Sequence, residues 1–214
     1  MNIVEPTPRR RKGRPLSFDR EVALHQAMLL FWRHGYEATS LNDLTAVLGV
    51  APSSIYTVFG DKKGLFLEAV AHYLSGPVTS ETIIEQAATA RDAAWGLMQA
   101  AAIGFTGAET PPGCLLASAA ISCSPAASEV QEELAAIRRG IEARLREKIA
   151  RSLEAEAIAR DIDADALAAH TMAVIQGMST LARDGASREK LLRLAATAMR
   201  SWPEFSLPVT QQPL

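Results

Sequence analysis

Cysteine and aromatic residues are scarce in this sequence, which has two cysteines among 214 residues and 6% aromatic residues. Two cysteines are too few to build the disulfide framework of a small secreted domain. Apolar residues never run uninterrupted for about 18 positions, so we expect no membrane-spanning helix and no membrane partner. The first residues carry arginines without the apolar segment of a signal peptide. Together these absences predict a cytoplasmic protein.

Catalytic and metal-binding motifs are also absent. The sequence contains no GxGxxG, HExxH or CxxC pattern, and these spacings hold dinucleotides, zinc or redox-active thiols. Its four histidines, His25, His34, His72 and His170, are scattered, without carboxylates at metal-ligand spacing. We therefore expect no enzyme activity, no metal and no cofactor. An enzyme carried on a helical domain is the alternative that these absences oppose.

Helix-forming residues dominate what is present. Alanine is abundant, and the apolar (48%) and charged (21%) shares are those of an ordinary globular protein. Apolar residues recur at helical spacing from about Phe18 onwards, so we predict an all-α fold. A basic arm over residues 1–15 would precede a helix-turn-helix domain of three or four helices over 16–76 and a helical-bundle domain over 77–208. The periodicity predicts bundle helices over residues 80–106, 114–122, 128–153, 164–183 and 187–202.

Positive charge is concentrated at the N-terminus, although the net charge of the chain is −2. The run RRRKGRP includes Arg10, Arg11, Lys12 and Arg14 and contains no acidic residue. Its glycine and proline favour an extended chain, which can enter an A·T-rich minor groove. A solvated basic tail would instead raise the affinity for DNA through counterion release without choosing a sequence. Both interpretations make the arm a DNA-binding element.

Two short helices joined by a tight turn form the pattern that points to function. Ser40 is a suitable N-cap for the first helix, Gly49 ends it, and Pro52 suits the first position of the second. This arrangement is a helix-turn-helix, in which the second helix presents side chains to the major groove of DNA. Its outer side offers hydrogen-bonding groups from Ser53, Ser54, Tyr56 and Thr57. The alternative interpretation is an ordinary solvent-exposed helix.

The run GYEATSLNDLTAVLGVAPSSIYTVFGDKKGLF resembles the DNA-binding domain of TetR-like (TetR/AcrR) transcriptional repressors. Outside this domain the chain is similar to them only in helix layout. The resemblance implies that Tyr56 and Lys62 contact phosphates and that Thr39 or Ser40 anchors the first motif helix. The positions that it implies for base contacts are Ala51, Pro52, Ser53, Ser54 and Thr57. Because Ala51 stands where a capping residue is common, we expect the second helix to lack a side-chain cap.

The resemblance also implies a homodimer, because TetR-like proteins pair through two late helices and a dimer contacts both halves of a palindrome. Apolar stripes on two predicted bundle helices supply candidate residues, and a glycine among them would allow close helix approach. The candidate interface residues are Ile137, Ile141, Leu145, Val174, Gly177, Met178 and Leu181. An intramolecular core is the alternative role for the apolar members of this set.

A small-molecule effector would control such a repressor from the C-terminal domain. Soft, adaptable side chains suit an apolar cavity. The candidate cavity residues are Trp95, Met98, Phe105, Cys114, Met172 and Met178, for which ordinary helix-packing core is the alternative. We therefore expect a ligand-responsive repressor that binds a palindromic operator and is released by an apolar or amphipathic effector.

Two other DNA-binding functions remain open. A thiol-sensing repressor would use Cys114 and Cys123 as a redox pair. Nine helical steps separate them by about 13.5 Å, whereas a disulfide needs Cα atoms within about 7 Å, so buried thiols are the favoured interpretation. A nucleoid-like protein would bind all duplexes with similar affinity at fixed salt.

Overall fold

The computed structural model describes residues 19–121, 123–156 and 162–203, and in these ranges every regular element is helical. The predicted all-α fold is confirmed. The α-helices in these ranges are α1 (Arg20–His34), α2 (Leu41–Leu48), α3 (Pro52–Phe59), α4 (Lys62–Leu74), α5 (Ser80–Gln86), α6 (Ala90–Gly104), α7 (Leu115–Ser118), α8 (Ser128–Glu156), α9 (Ala164–Arg183) and α10 (Arg188–Ala198). None of them has the length and apolar character needed to cross a membrane.

The first four helices pack around an aromatic core. The Asp19 carboxylate accepts hydrogen bonds from the amides of Glu21 and Val22 and so caps α1. Phe31 of α1 and Phe66 of α4 are fully buried, and their ring centroids lie 5.0 Å apart in an edge-to-face arrangement. This N-terminal core forms the platform against which α2 and α3 pack.

The segment from α2 to α3 has the geometry of a helix-turn-helix. Ser40 and Asp43 form a reciprocal capping box at the start of α2. Gly49 follows α2 in the left-handed conformation, with a φ of 64°, where a side chain would be strained. Pro52 begins α3, and Ala51 contributes no side-chain cap, as expected. The predicted bounds of α2 and the predicted start of α3 are confirmed.

The single helix predicted over residues 80–106 is wrong, because α5 ends at Gln86 and α6 begins at Ala90. Thr89 and Asp92 form a capping box, which starts a new helix. Apolar residues continue at helical spacing across this break, and the periodicity therefore concealed it.

α7 is also shorter than the helix predicted over residues 114–122. It ends after one turn at Ser118, and the carbonyl of Ala119 accepts a hydrogen bond from the amide of Tyr36 at 2.7 Å. That carbonyl is thus bonded to the N-terminal unit instead of to the next turn of its own helix. Leu115 of α7 is fully buried in the N-terminal core. α7 therefore belongs to the packing of both units.

A second core holds α5, α6, α8, α9 and α10 together as a bundle. Ala93 and Ala94 are fully buried on α6, and their small side chains allow neighbouring helices to approach closely. Cys114 and Ile141 pack against both cores. The first four helices and the bundle are therefore in direct physical contact.

Candidate nucleic-acid interface

α3 turns one polar face away from the N-terminal core. Ile55 is fully buried and Phe59 is nearly so, which seats α3 against α2 and α4. Most positions of this segment that were predicted to contact DNA are exposed, namely Ala51, Pro52, Ser53, Tyr56 and Thr57. Ser54 is half-buried. The first turn of α3 lacks a side-chain cap, Pro52 has no amide hydrogen, and the amide of Ser54 donates to the carbonyl of Ala51 at 2.9 Å. The amide of Ser53 is therefore the donor in this turn that could meet an external acceptor such as a phosphate.

The two residues that precede α2 have different roles. Thr39 is only 1% exposed, and its hydroxyl donates to the carbonyl of Gly35 at 2.7 Å, so this hydroxyl is used within the chain. Ser40 is exposed, and its Oγ accepts from the amide of Asp43 at 3.1 Å while donating to the Asp43 carboxylate at 2.6 Å. Hydrogen bonds from Ser40 hold the pKa of Asp43 below its usual value. Ser40 is thus the residue that caps α2 at the surface.

Lys62, the first residue of α4, lies over the ring of Tyr36. Its Nζ is 4.4 Å from the ring centroid and donates to the carbonyl of Glu37 at 3.5 Å. Burial lowers the pKa of the Lys62 ammonium, and the Glu37 carboxylate acts in the opposite direction. The neighbouring Lys63 is paired with the carboxylate of Glu129. Within the described ranges Lys62 has no such ion pair, which leaves its charge for an external anion.

Tyr36 and Glu37 are site residues that the sequence did not identify. The Glu37 carboxylate accepts from the amide of Ser124 at 3.0 Å and from the Ser124 hydroxyl, and these hydrogen bonds lower the pKa of Glu37. The Tyr36 ring packs against Phe31 and Phe66. No local signal could have revealed these roles, because Ser124 lies 87 positions from Glu37 along the chain.

The basic arm lies outside the described residues. DNA contacts by Arg10, Arg11, Lys12 and Arg14 remain a prediction, and the minor-groove and counterion interpretations both stay open.

A cavity of about 670 Å³ is lined by residues of α4, α5, α6, α7, α8 and α9. Three of the six predicted effector residues line it, namely Phe105, Cys114 and Met172. Met98 and Met178 are instead fully buried in the core of the bundle, and Trp95 packs against that core. An apolar stripe identifies the inward side of a helix, but only the packing of its neighbours decides whether that side meets a cavity.

The charged residues of the cavity lining offset one another. Glu81 and Glu133 are balanced by Arg138 and Arg144. Arg144 lies 3.4 Å from the Glu81 carboxylate, and Arg138 donates to the carbonyl of Leu116. Both arginines are therefore already engaged, and the rest of the lining is largely apolar.

Cys114 contributes a buried thiol to this cavity. The hydroxyl of Tyr73 donates to its Sγ at 3.5 Å, and burial raises the pKa of both groups. Cys123 is also a free thiol, and burial raises its pKa too. Neither sulfur is activated as a thiolate, so the structure gives the thiol-sensing alternative no specific support. In the described ranges no group of histidine, cysteine, aspartate and glutamate residues is arranged to hold a metal ion.

Four of the predicted interface residues face the cavity or the core of the bundle. Ile137 and Ile141 line the cavity. Leu145 and Met178 are fully buried in the core of the bundle, so they have no surface left to offer a second subunit.

The other three predicted interface residues lie on α9 and are accessible. Val174 and Leu181 are half-buried, and Gly177 is exposed with open space where a Cβ would stand. A surface helix can approach α9 closely at Gly177.

Two family sequence models match the chain. The model of bacterial regulatory proteins of the tetR family matches residues 23–69, which span the helix-turn-helix. The model of the tetracyclin repressor-like C-terminal domain matches residues 81–199.

Similar proteins extend this likeness over most of the chain. The HTH-type transcriptional repressor ComR of Escherichia coli (strain K12) is 34% identical over 198 residues, covering 91% of this chain and 93% of that protein. The TetR family transcriptional regulator CifR, solved as a cysteine mutant with a 26-bp double-strand operator DNA, is 38% identical, with a TM-score of 0.84 over 89% of this chain and 100% of that one. The regulator PfmR from Thermus thermophilus is 26% identical, with a TM-score of 0.64 over 88% of this chain and 99% of its own.

Proposed function

Because this chain belongs to the TetR family of bacterial regulatory proteins, we propose that it is a repressor that binds a palindromic operator as a homodimer and is released by a small effector. The exposed polar face of α3 is the observation that carries this proposal. The repressor activity named for ComR and the operator DNA bound by CifR support operator binding here, since both proteins match about nine-tenths of this chain.

In the proposed complex α3 enters the major groove with its N-terminal half towards the bases. Ser53 and Thr57 contact base edges, while Tyr56 and Lys62 bind phosphates on either side. Ser40 caps α2 beside the same backbone. The basic arm adds contacts whose mode, in the minor groove or by counterion release, remains open.

The proposed dimer pairs α9 with the same helix of a second copy. Val174, Gly177 and Leu181 supply the accessible side of α9. Pairing of this kind places the two copies of α3 about 34 Å apart, one turn of the DNA helix, so that each reads half of a palindrome.

The proposed effector occupies the 670 Å³ cavity. Its lining carries no net formal charge and both of its arginines are engaged, so the fitting ligand is neutral, and apolar or amphipathic. Tyr73 and Leu74 of α4 belong to this lining, so an occupant contacts the helix that Lys62 begins. A ligand that fits the cavity better in one orientation of α4 shifts the protein towards that state.

Selection from a random duplex library at fixed salt tests the DNA-binding half of the proposal. Sequencing of the bound fraction should recover a palindrome. Recovery of A·T-rich DNA alone would mean that the basic arm dominates binding, and equal recovery of all duplexes would favour the nucleoid-like alternative.

Titration with neutral apolar compounds tests the effector half. Compounds that bind the C-terminal domain should lower the affinity for the selected palindrome. If every compound that binds leaves this affinity unchanged, the cavity is not a control site.

A further inference from the structure

Lys62 stands in a place that disfavours a cation. It is the first residue of α4, where the helix dipole is positive, and burial lowers the pKa of its ammonium. The Tyr36 ring offers the negative face of its π system at 4.4 Å, and the Glu37 carbonyl accepts a hydrogen bond from Nζ. These two contacts favour the charged form of Lys62 at the surface predicted to meet phosphate, as do the nearby carboxylates of Glu37 and Asp43.

Tyr36 is itself held from two sides. Its ring centroid lies 5.0 Å from that of Phe66 and 6.2 Å from that of Phe31, within the N-terminal core. Its amide donates to the carbonyl of Ala119, directly after α7, at 2.7 Å. The position of the ring beneath Lys62 therefore depends on both the aromatic core and α7.

Glu37 provides a second connection to the same region. Its carboxylate accepts two hydrogen bonds from Ser124, one from the amide at 3.0 Å and one from the hydroxyl. α7 also lines the cavity through Leu116 and Ala117. Tyr36 and Glu37, which are consecutive in the chain, thus connect the α7 region of the cavity wall to Lys62.

From these contacts we infer that Tyr36 and Glu37 are positioning residues, which hold Lys62 for phosphate contact and tie its position to the region of α7. This inference rests on the proposed function, because it requires Lys62 to bind phosphate. It also gives the cavity a route to the DNA surface that does not pass along α4.

The salt dependence of DNA binding tests the inference, since each lost phosphate contact reduces the slope of log K against log[salt] by about 0.9. The probe is the palindrome selected from the library, and the slope is measured by fluorescence anisotropy. Lys62→Met should reduce the slope by about 1.8 for a dimer. Tyr36→Leu should reduce the slope by part of this amount. The double variant Y36L/K62M should reduce it no more than K62M alone does. The conservative Tyr36→Phe keeps the aromatic ring and should show the wild-type slope.

A second pair of variants leaves the aromatic core intact, in case Tyr36→Leu does not fold. Glu37→Ala loses both hydrogen bonds from Ser124, whereas Glu37→Gln loses the charge but keeps an acceptor. The slope should be smaller for E37A than for E37Q, and this difference should vanish in the K62M background.

The outcomes separate the inference from the proposed function. An unchanged slope for K62M would contradict the proposed phosphate contact. A reduced slope for K62M, together with a wild-type slope for Y36L or equal slopes for E37A and E37Q, would overturn the positioning roles alone. A Y36L/K62M slope below that of K62M would likewise overturn them, because Tyr36 would then act independently of Lys62.

Discussion

Thr39 illustrates how one hydroxyl supports the helix-turn-helix from inside. It is buried, and its Oγ1 donates to the carbonyl of Gly35 at the end of α1. Gly35 has a φ of 87°, a conformation that L side chains rarely adopt, and a Cβ there would lie 3.3 Å from the carbonyl of Ala119. The hydrogen bond therefore stabilises the corner from which α2 departs.

Replacing Thr39 with valine should lower the free energy of unfolding by about 1 kcal/mol, because the half-buried carbonyl of Gly35 loses its donor. Urea denaturation measures this change. Thr197→Val is the matched control, since its hydroxyl also donates to a carbonyl four residues earlier but is exposed. Equal losses in both variants would contradict the role assigned to burial.

The Asp43 carboxylate should make the stability of the protein depend on pH. Its pKa in the folded state is lowered by hydrogen bonds from Ser40, below an unfolded value of about 3.9. Its contribution is therefore complete above about pH 4 and is lost as the pH falls through the folded-state pKa. The difference in urea midpoint between the wild type and Asp43→Asn should shrink from pH 7 to pH 3. If this difference in urea midpoint stayed constant with pH, the ionised Asp43 carboxylate would not be the source of the stabilisation.

At the scale of elements, α2 and α3 are too short to be stable alone, with eight residues each. The connection from α3 to α4 fixes α3 in turn. Gly64 is the residue that permits this close approach, because a Cβ there would lie 2.0 Å from the carbonyl of Phe59. No rotamer change can relieve a clash with backbone.

Gly64→Ala should therefore lower the free energy of unfolding by about 3 kcal/mol, as overpacking forces the backbone to move. DNA binding should weaken as well, since α3 and Lys62 would shift relative to each other. Gly76→Ala is the control, because nothing lies within 4 Å of its Cβ position, and its effect should stay within about 0.5 kcal/mol. Similar stability in the two alanine variants would show that the connection between α3 and α4 can accommodate a Cβ at position 64.

At the scale of the whole molecule, the proposed dimer depends on the accessible surface of α9, and the proposed effector control depends on the cavity between the cores. Gly177 has open space around it within one chain, so a large side chain fits there unless a second copy covers the position. A large side chain at position 177 should therefore be tolerated by a monomer and should disrupt a dimer that uses this surface.

Gly177→Arg should leave the single chain folded and convert the dimer to a monomer in sedimentation velocity. Operator affinity should fall by about 100-fold or more, because each copy then holds only a half-site. Gln99→Arg, at an exposed position on α6, should change neither property. A Gly177→Arg dimer with wild-type affinity would exclude this part of α9 from the interface.

Filling the cavity should compete with an effector. Ala100 lines the cavity, and Ala100→Phe should weaken binding of the neutral probe Nile red by about tenfold, which corresponds to about 1.4 kcal/mol. Fluorescence titration measures this change, with Ala108→Phe, at an exposed loop position, as the control. Equal probe affinity in both variants would place the bound probe elsewhere.

The sequence alone determined the all-α fold, the bounds of α2 and the start of α3. Those bounds depend on local interactions, such as the cap at Ser40, the left-handed turn at Gly49 and the proline that begins α3. The exposed positions of α3 followed from the same short-range spacing, with Ile55 and Phe59 turned inward.

The tertiary structure decided whatever depends on residues that are distant along the chain. α7 ends early because Ala119 bonds to Tyr36, and Lys62 lies over the ring of Tyr36, a residue to which no sequence pattern pointed. Met98 and Met178 fill a core while Met172 lines a cavity, although all three are similar side chains on helix faces. Helical periodicity reports which side of a helix turns inward, whereas the packing of several helices determines what that side meets.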